Sequence, residues 1–299
     1  MERRDFIKTM GIGALSMAVS HEMLAGISEV TAKKLPSFGL ISGIGGSWLR
    51  ENTREALKQI AEWGFTELEF GGSLGGMETS ELLKFLKSLG LKPMIGSASM
   101  QNLIGDESRL KTNLKRSLDL GQKFVACYWP WTEDGQGKKI DDWKVVADNL
   151  NKGGAICKKE GIQLIYHNHD IEFHPVEGQM PFDVLMQRLD PVVGIELDLY
   201  WITKSGQSAV EYLKKYPGRY PVFHVKDMPA TVKRGIPTDF STLTDKDFAP
   251  IGHGSIDFAE IFRLNKLSGA KHFIIENDKP ADPKECIELS GKYLRSLRF

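Results

Sequence analysis

The feature that most constrains this chain is an alternation between two hydrophobic periods. Between Phe38 and Leu297, a short and continuously apolar run is followed by apolar residues at helical spacing, eight times over. The runs predict strands at 38–44, 66–70, 91–98, 124–129, 163–169, 193–201, 221–226 and 272–276. Helices are predicted at 52–63, 79–89, 108–120, 141–159, 181–189, 208–215, 256–267 and 283–297. Helical spacing is explicit in 52–63, where Ala56, Leu57, Ile60, Ala61 and Trp63 fall on one side. Gly64 and Gly90 then stop two of the helices. Strands that are apolar throughout, rather than alternating, are buried on both faces and pair in parallel. Eight such units closing on themselves make an α/β fold of the (β/α)8 barrel type. The competing architecture is a doubly wound open sheet. No GxGxxG fingerprint or phosphate-binding GKS or GKT loop follows any strand.

The length of 299 residues suits one such barrel, and an apolar fraction of 41% supports a sizeable core. Lys+Arg and Asp+Glu both number 39, so no basic field exists to hold nucleic acid. Cys127, Cys157 and Cys286 are widely separated and form neither a CxxC zinc pattern nor a disulfide framework. The first residues differ in character. Arg3-Arg4-Asp5-Phe6-Ile7-Lys8 precedes a mild apolar stretch, Met10 to Val19, too short to span a bilayer. This pattern resembles a twin-arginine export signal, with cleavage after Ala25 or a little later. The expectation is therefore a leader over 1–30, a barrel domain over 36–299, a periplasmic location and no stable membrane anchor. A frayed amphipathic helix is the alternative for the leader.

A barrel brings the C-terminal ends of its strands around one mouth. The ends here carry Glu69, Trp129, His167, His169, Asp198, Trp201, His224, Lys226 and Glu276. Most prominent is Tyr166-His167-Asn168-His169-Asp170, which closes the apolar run Ile162–Ile165. Burying such groups unpaired costs roughly 2–7 kcal/mol each, so their position asks for a use. Each residue has an ordinary alternative: a carboxylate paired with lysine, a core histidine, a helix cap. Together at matching strand ends they suggest a metal site of His167, Asp198, His224 and Glu276. Two imidazoles and two carboxylates suit a divalent ion such as Mn, Co, Zn or Fe. Asn168, Asp170, Glu196 and Asp227 are candidates to orient the ligands from behind. Lys226 follows His224 by two residues and shares its side of the strand. Trp129, Trp131 and Trp201 offer flat apolar walls that suit sugar C–H faces or barrel packing.

The motifs YHNHDIEF (166–173), ELDLYW (196–201), HVKD (224–227), IGHGSIDF (251–258) and IIEND (274–278) resemble the sugar phosphate isomerase/epimerase family. These are the xylose isomerase-like TIM barrels, which also include tagatose epimerases, inosose dehydratases and an apurinic endonuclease. The resemblance runs from about residue 37 to the end. It implies a metal held by Glu, Asp, His and Glu on the fifth to eighth strands. Asp198, His224 and Glu276 match that pattern, while His167 stands where many relatives carry the first glutamate. In the epimerases the two glutamates are the acid/base pair, and only Glu276 of that pair remains here. The expected activity is metal-dependent isomerisation or epimerisation of a sugar or keto-sugar through an enediolate. Glu276 is the expected base, with Lys226 or His169 as the opposite acid, and Trp129, Trp201 and Glu69 as substrate contacts. The alternatives are a lyase or dehydratase acting on a keto-glycoside, and a non-catalytic sugar-binding protein.

Overall fold

The structure, a computed structural model, describes residues 32–133 and 136–299. The expected leader, 1–30, lies outside the described residues. Residues Lys34–Phe299 form one compact unit.

Eight parallel strands close into a barrel in sequence order: β1 (Gly39–Ile41), β2 (Glu67–Glu69), β3 (Lys92–Ser97), β4 (Phe124–Cys127), β5 (Gln163–His167), β6 (Gly194–Asp198), β7 (Val222–Val225) and β8 (His272–Ile275). β8 pairs back onto β1 through Gly39↔Ile274 and Leu40↔Ile275. The fold is therefore the (β/α)8 barrel rather than an open sheet. Helices cover the outside and bury their apolar stripes against the strands. The longest, Ile140–Lys159, buries Trp143, Val146, Ala147, Leu150 and Cys157. Among the described residues, no helix is long and apolar enough to cross a membrane.

Successive residues of a strand point to opposite faces, and this parity sorts the barrel into layers. Ile95, Phe124, Ala126, Ile165, Val222 and Ile274 pack together in the interior as an apolar floor. Two residues further along three of these strands come His167, His224 and Glu276. β6 breaks the rule, because the residue two before Asp198 is Glu196, and both are fully buried. A carboxyl group therefore enters the floor level directly beneath the layer that holds His167, Asp198, His224 and Glu276.

Several boundaries differ from the sequence expectation. The predicted strand 193–201 ends at Asp198, where Leu199–Lys204 turns into a helix. The Asp198 carboxylate accepts a hydrogen bond from Trp201 N at 2.9 Å, so the same residue ends the strand and caps the helix. Trp201 consequently sits on a helix rather than on a strand end. The predicted helix 52–63 is preceded by another, Gly46–Glu51, and the helix Met100–Ile104 lies in the loop after β3. The helix expected over 256–267 is two short pieces, Phe258–Phe262 and Asn265–Ser268.

Candidate metal centre

The barrel brings His167, Asp198, His224 and Glu276 together. One donor atom from each lies within 4.8 Å of the others. The strand register explains the convergence. Asp198 pairs directly with His224, and His167 pairs with Glu196. Glu276 follows β8 immediately, and its backbone N–H bonds to Val225 O at 3.1 Å. Donors on opposite sides of an ion bound at 2.0–2.2 Å stand about 4 Å apart, so the spacing closes on one divalent ion with small side-chain movements. Two carboxylates match its charge, and together with two imidazoles, which give up a proton to bind it, they meet its preference for mixed nitrogen and oxygen donors. The buried Asp198 Oδ2 accepts no well-directed hydrogen bond, although the Lys226 ammonium is 3.0 Å away. That oxygen retains a lone pair for a ligand. The residues therefore fit the ion they were expected to hold.

Both imidazoles are held from behind by carboxylates. Glu196 Oε2 lies 3.3 Å from His167 Nδ1, and Glu196 Oε1 lies 3.3 Å from His224 Nε2. Glu69 Oε2 approaches the same His224 nitrogen at 2.9 Å. With those nitrogens donating to the carboxylates, His167 Nε2 and His224 Nδ1 are the ring atoms turned toward the cluster; His224 Nδ1 lies 3.1 Å from Glu276 Oε2, a contact that an ion bound between them would replace. Glu196, expected among the supporting groups, thus hydrogen-bonds to His167 and stands close to His224, whose own hydrogen bond goes to Glu69. Asn168 supports Asp198, accepting its backbone N–H at 2.9 Å. Asp170 and Asp227 do something else. Asp170 accepts Thr238 N at 2.8 Å, and Asp227 accepts the N–H groups of Gly252 and Gly254 at 2.8 and 2.9 Å. These two carboxylates tie down the long segment after β7 instead of touching the ligands.

Lys226 is fully buried, and its ammonium contacts Glu276 at 2.6 Å, Asp278 at 2.9 Å and Asp198 at 3.0 Å. It therefore touches both carboxylates of the ligand set. Burial works against its charge, but Asp198, Asp278 and Glu276 outweigh this and hold its pKa well above the ordinary lysine value. Burial alone would raise the Glu276 pKa. The charges of Lys226 and His224 overcome that effect and hold it well below the usual carboxylate range. Glu276 is thus an anion with partial access to the mouth, its side chain 15% exposed. Burial pushes Glu196 up to about 8, assisted by the charge of Glu69, and pushes Asp198 up to about 6 despite Lys226. Burial also lowers His169 to about 3, with Lys226 contributing, so its ring is neutral near pH 7.

The other predicted residues separate by exposure. His169 is partly exposed beside the cluster, 5.0 Å from the His167 ring between centroids, and its Nδ1 has no hydrogen-bond partner among the described residues. Trp129 is 42% exposed and packs edge-on against His169 at 5.2 Å. Trp201, expected as an open wall, is only 1% exposed. Its ring lies 5.1 Å from the Lys226 ammonium, a buried cation–π contact that braces the lysine. Glu69, expected to touch substrate, is fully buried behind His224. Sequence reasoning missed two residues. The Tyr128 hydroxyl donates to Glu69, and Asp278 is the third partner of Lys226. Parity was the available signal, since Tyr128 follows Ala126 by two and Asp278 follows Glu276 by two.

The family model for the xylose isomerase-like TIM barrel matches residues 57–297. An inosose dehydratase from Clostridium perfringens is 32% identical over 164 residues, covering 52% of this chain and 54% of that protein. The chain thus spans about half the length of the curated relatives it matches. The crystal structure of a sugar phosphate isomerase/epimerase from Parabacteroides distasonis superposes with a TM-score of 0.71 at 25% identity, covering 90% of this chain and 96% of that one. The fold is also shared with a protein crystallised with a zinc atom, IOLI, at a TM-score of 0.64 and 17% identity, with coverage of 86% and 95%. With eight parallel strands in a closed barrel and a family match over most of its length, this chain belongs to the xylose isomerase-like TIM barrel family.

Proposed function

We propose that the chain is a metal-dependent enzyme that isomerises or epimerises a sugar or keto-sugar. The observation that carries this reading is the convergence of donor atoms from His167, Asp198, His224 and Glu276 within 4.8 Å, at the face where such barrels perform chemistry. A divalent ion held there supplies Lewis-acid polarisation of a carbonyl and its neighbouring hydroxyl. The chain's own residues do the rest. Glu276, kept anionic by Lys226 and His224, takes the proton from the carbon next to the carbonyl. Lys226, fixed among Asp198, Asp278 and Glu276, keeps a positive charge beside the site that offsets the negative charge that develops. The neutral His169 ring accepts or passes a proton on the open side of the site. General acid–base help of this kind contributes about 10²–10⁴ in rate. The similarity to a sugar phosphate isomerase/epimerase over nearly the whole chain supports this class.

A second reading, elimination or hydration by a lyase or dehydratase, draws on a specific feature. His167 ends β5 where the resemblance implies a second glutamate, so one carboxylate base faces the mouth. A dehydratase needs one base and a route for the leaving group, and an inosose dehydratase is among the relatives. The test is a panel of aldoses, ketoses and 3-keto-glycosides incubated with the full chain and Mn, Co, Zn or Fe in D2O, followed by NMR. Isomerisation or epimerisation returns a solvent deuteron to carbon and gives an isomeric sugar, whereas elimination removes the proton and the β-substituent and gives an unsaturated sugar with no deuteron returned to that carbon. Glu276→Gln should abolish both turnover and exchange. Undiminished turnover in that variant refutes the base assignment. No turnover of any panel member favours a non-catalytic sugar-binding protein.

A further inference from the structure

Beside the candidate metal centre lies a cleft of about 300 Å³, whose lining includes Ser97, Ser99, Gln101, Tyr128, Trp129 and Trp131. It is joined to the site through shared residues. The Tyr128 hydroxyl donates to Glu69, whose other oxygen lies 2.9 Å from His224 Nε2. The Tyr128 ring stands 5.6 Å from His167 between centroids, and the Trp129 ring stands 5.2 Å from His169. A molecule seated on the ion site would thus have this cleft as its immediate neighbour.

The chemistry of the lining selects the occupant. Trp129 is 42% exposed, and its ring is held in perpendicular contact with Phe240 at 5.7 Å between centroids. An exposed tryptophan held rigid is costly to leave in water and offers a flat apolar surface. The C–H face of a pyranose lies against such a surface, while Ser97 and Gln101 supply hydrogen-bonding groups for ring hydroxyls, the Ser99 hydroxyl being engaged with Asn102. Among the described residues no lysine or arginine lines the cleft, so a phosphate placed there would meet no cation from them. The volume falls at the small end of ligand sites, suited to one ring and not to a long chain.

We propose that this cleft is a second subsite, which holds a neutral pyranose ring linked to the reacting sugar, so that the substrate is a disaccharide-like glycoside rather than a free or phosphorylated monosaccharide. This rests on the reading of the metal centre as a carbohydrate site. The test is ligand-observed NMR titration of the zinc-loaded full chain with α- and β-linked glucose and galactose disaccharides, their constituent monosaccharides and the 6-phosphates of those monosaccharides. At least one disaccharide should bind about tenfold or more tightly than either of its constituents. Trp129→Ala removes the platform, and Gln101→Trp fills the cleft from its other side. Each should bring the disaccharide-to-monosaccharide ratio to within about twofold, with circular dichroism reporting whether the variant is folded. If monosaccharides bind and no disaccharide binds more tightly, the subsite is refuted while the carbohydrate reading stands. A preference that survives in both folded variants, or tightest binding by a sugar phosphate, also overturns the subsite. If no sugar of any kind binds, both readings fail together.

Discussion

Replacing Lys226 by methionine isolates the electrostatics of the centre. The ammonium is buried between Glu276 at 2.6 Å, Asp278 at 2.9 Å and Asp198 at 3.0 Å. Methionine fills a similar volume without charge, so the change removes a cation from three carboxylates, of which Asp198 is fully buried. Removing one partner of a buried ion pair costs about 3–5 kcal/mol, because the remaining charge is left uncompensated. The upper end applies here, since Asp198 and Glu276 also face one another. In chelator-treated protein, K226M should therefore unfold at a markedly lower urea concentration, with an unchanged dependence on denaturant. A divalent ion supplies the missing positive charge to the same two carboxylates. Zinc or manganese should accordingly stabilise K226M more than the wild-type chain, by an amount that grows with ion concentration as binding to the native state requires. Urea titrations of both proteins, with and without metal, check this. Equal stability of the two metal-free proteins, or a smaller metal-induced gain in K226M, refutes the reasoning.

Glu172 allows a pH test away from the ligands. It is fully buried, accepts His169 N at 2.9 Å and a hydrogen bond from the Tyr166 hydroxyl, and burial pushes it up to about 8. A carboxyl with a raised native pKa contributes stability that is complete below its unfolded value and is lost as pH rises through about 8. Wild-type stability should fall across that window with a slope of up to about 1.4 kcal/mol per pH unit from this group, and Glu172→Gln should flatten the fall. An identical pH profile in the variant removes Glu172 from the account. For the leader, replacing Arg3 and Arg4 together by lysine should retain the protein in the cytoplasm in a cell-fractionation assay, and export of the double variant would contradict the twin-arginine reading.

The barrel was legible because it is written in short-range patterns. Runs such as Ile162–Ile165 and the stripe from Ala56 to Ile60 report burial directly. The convergence of the four candidate ligands was legible because polar groups at the ends of buried runs are conspicuous. What escaped depends on contacts between strands. That Glu196 would touch His167 and His224 together follows from the β5–β6–β7 register, which no single strand reveals. Trp201 was misplaced because Asp198 reads equally well as a strand end and as a helix cap, and only the helix Leu199–Lys204 turns the tryptophan into the interior. The depth of Lys226 was hidden too, since a lysine at a strand end resembles a solvated one until its three carboxylate partners are in place.

The central claim is that His167, Asp198, His224 and Glu276 hold one divalent ion. Elemental analysis of the purified full chain beside the Asp198→Asn/His224→Ala double variant tests it most directly. The account predicts about one equivalent of a divalent transition metal per wild-type chain, retained through dialysis, and a near-complete loss in a folded double variant. Wild-type protein that takes up no divalent metal, or a double variant that retains it fully, would contradict the account.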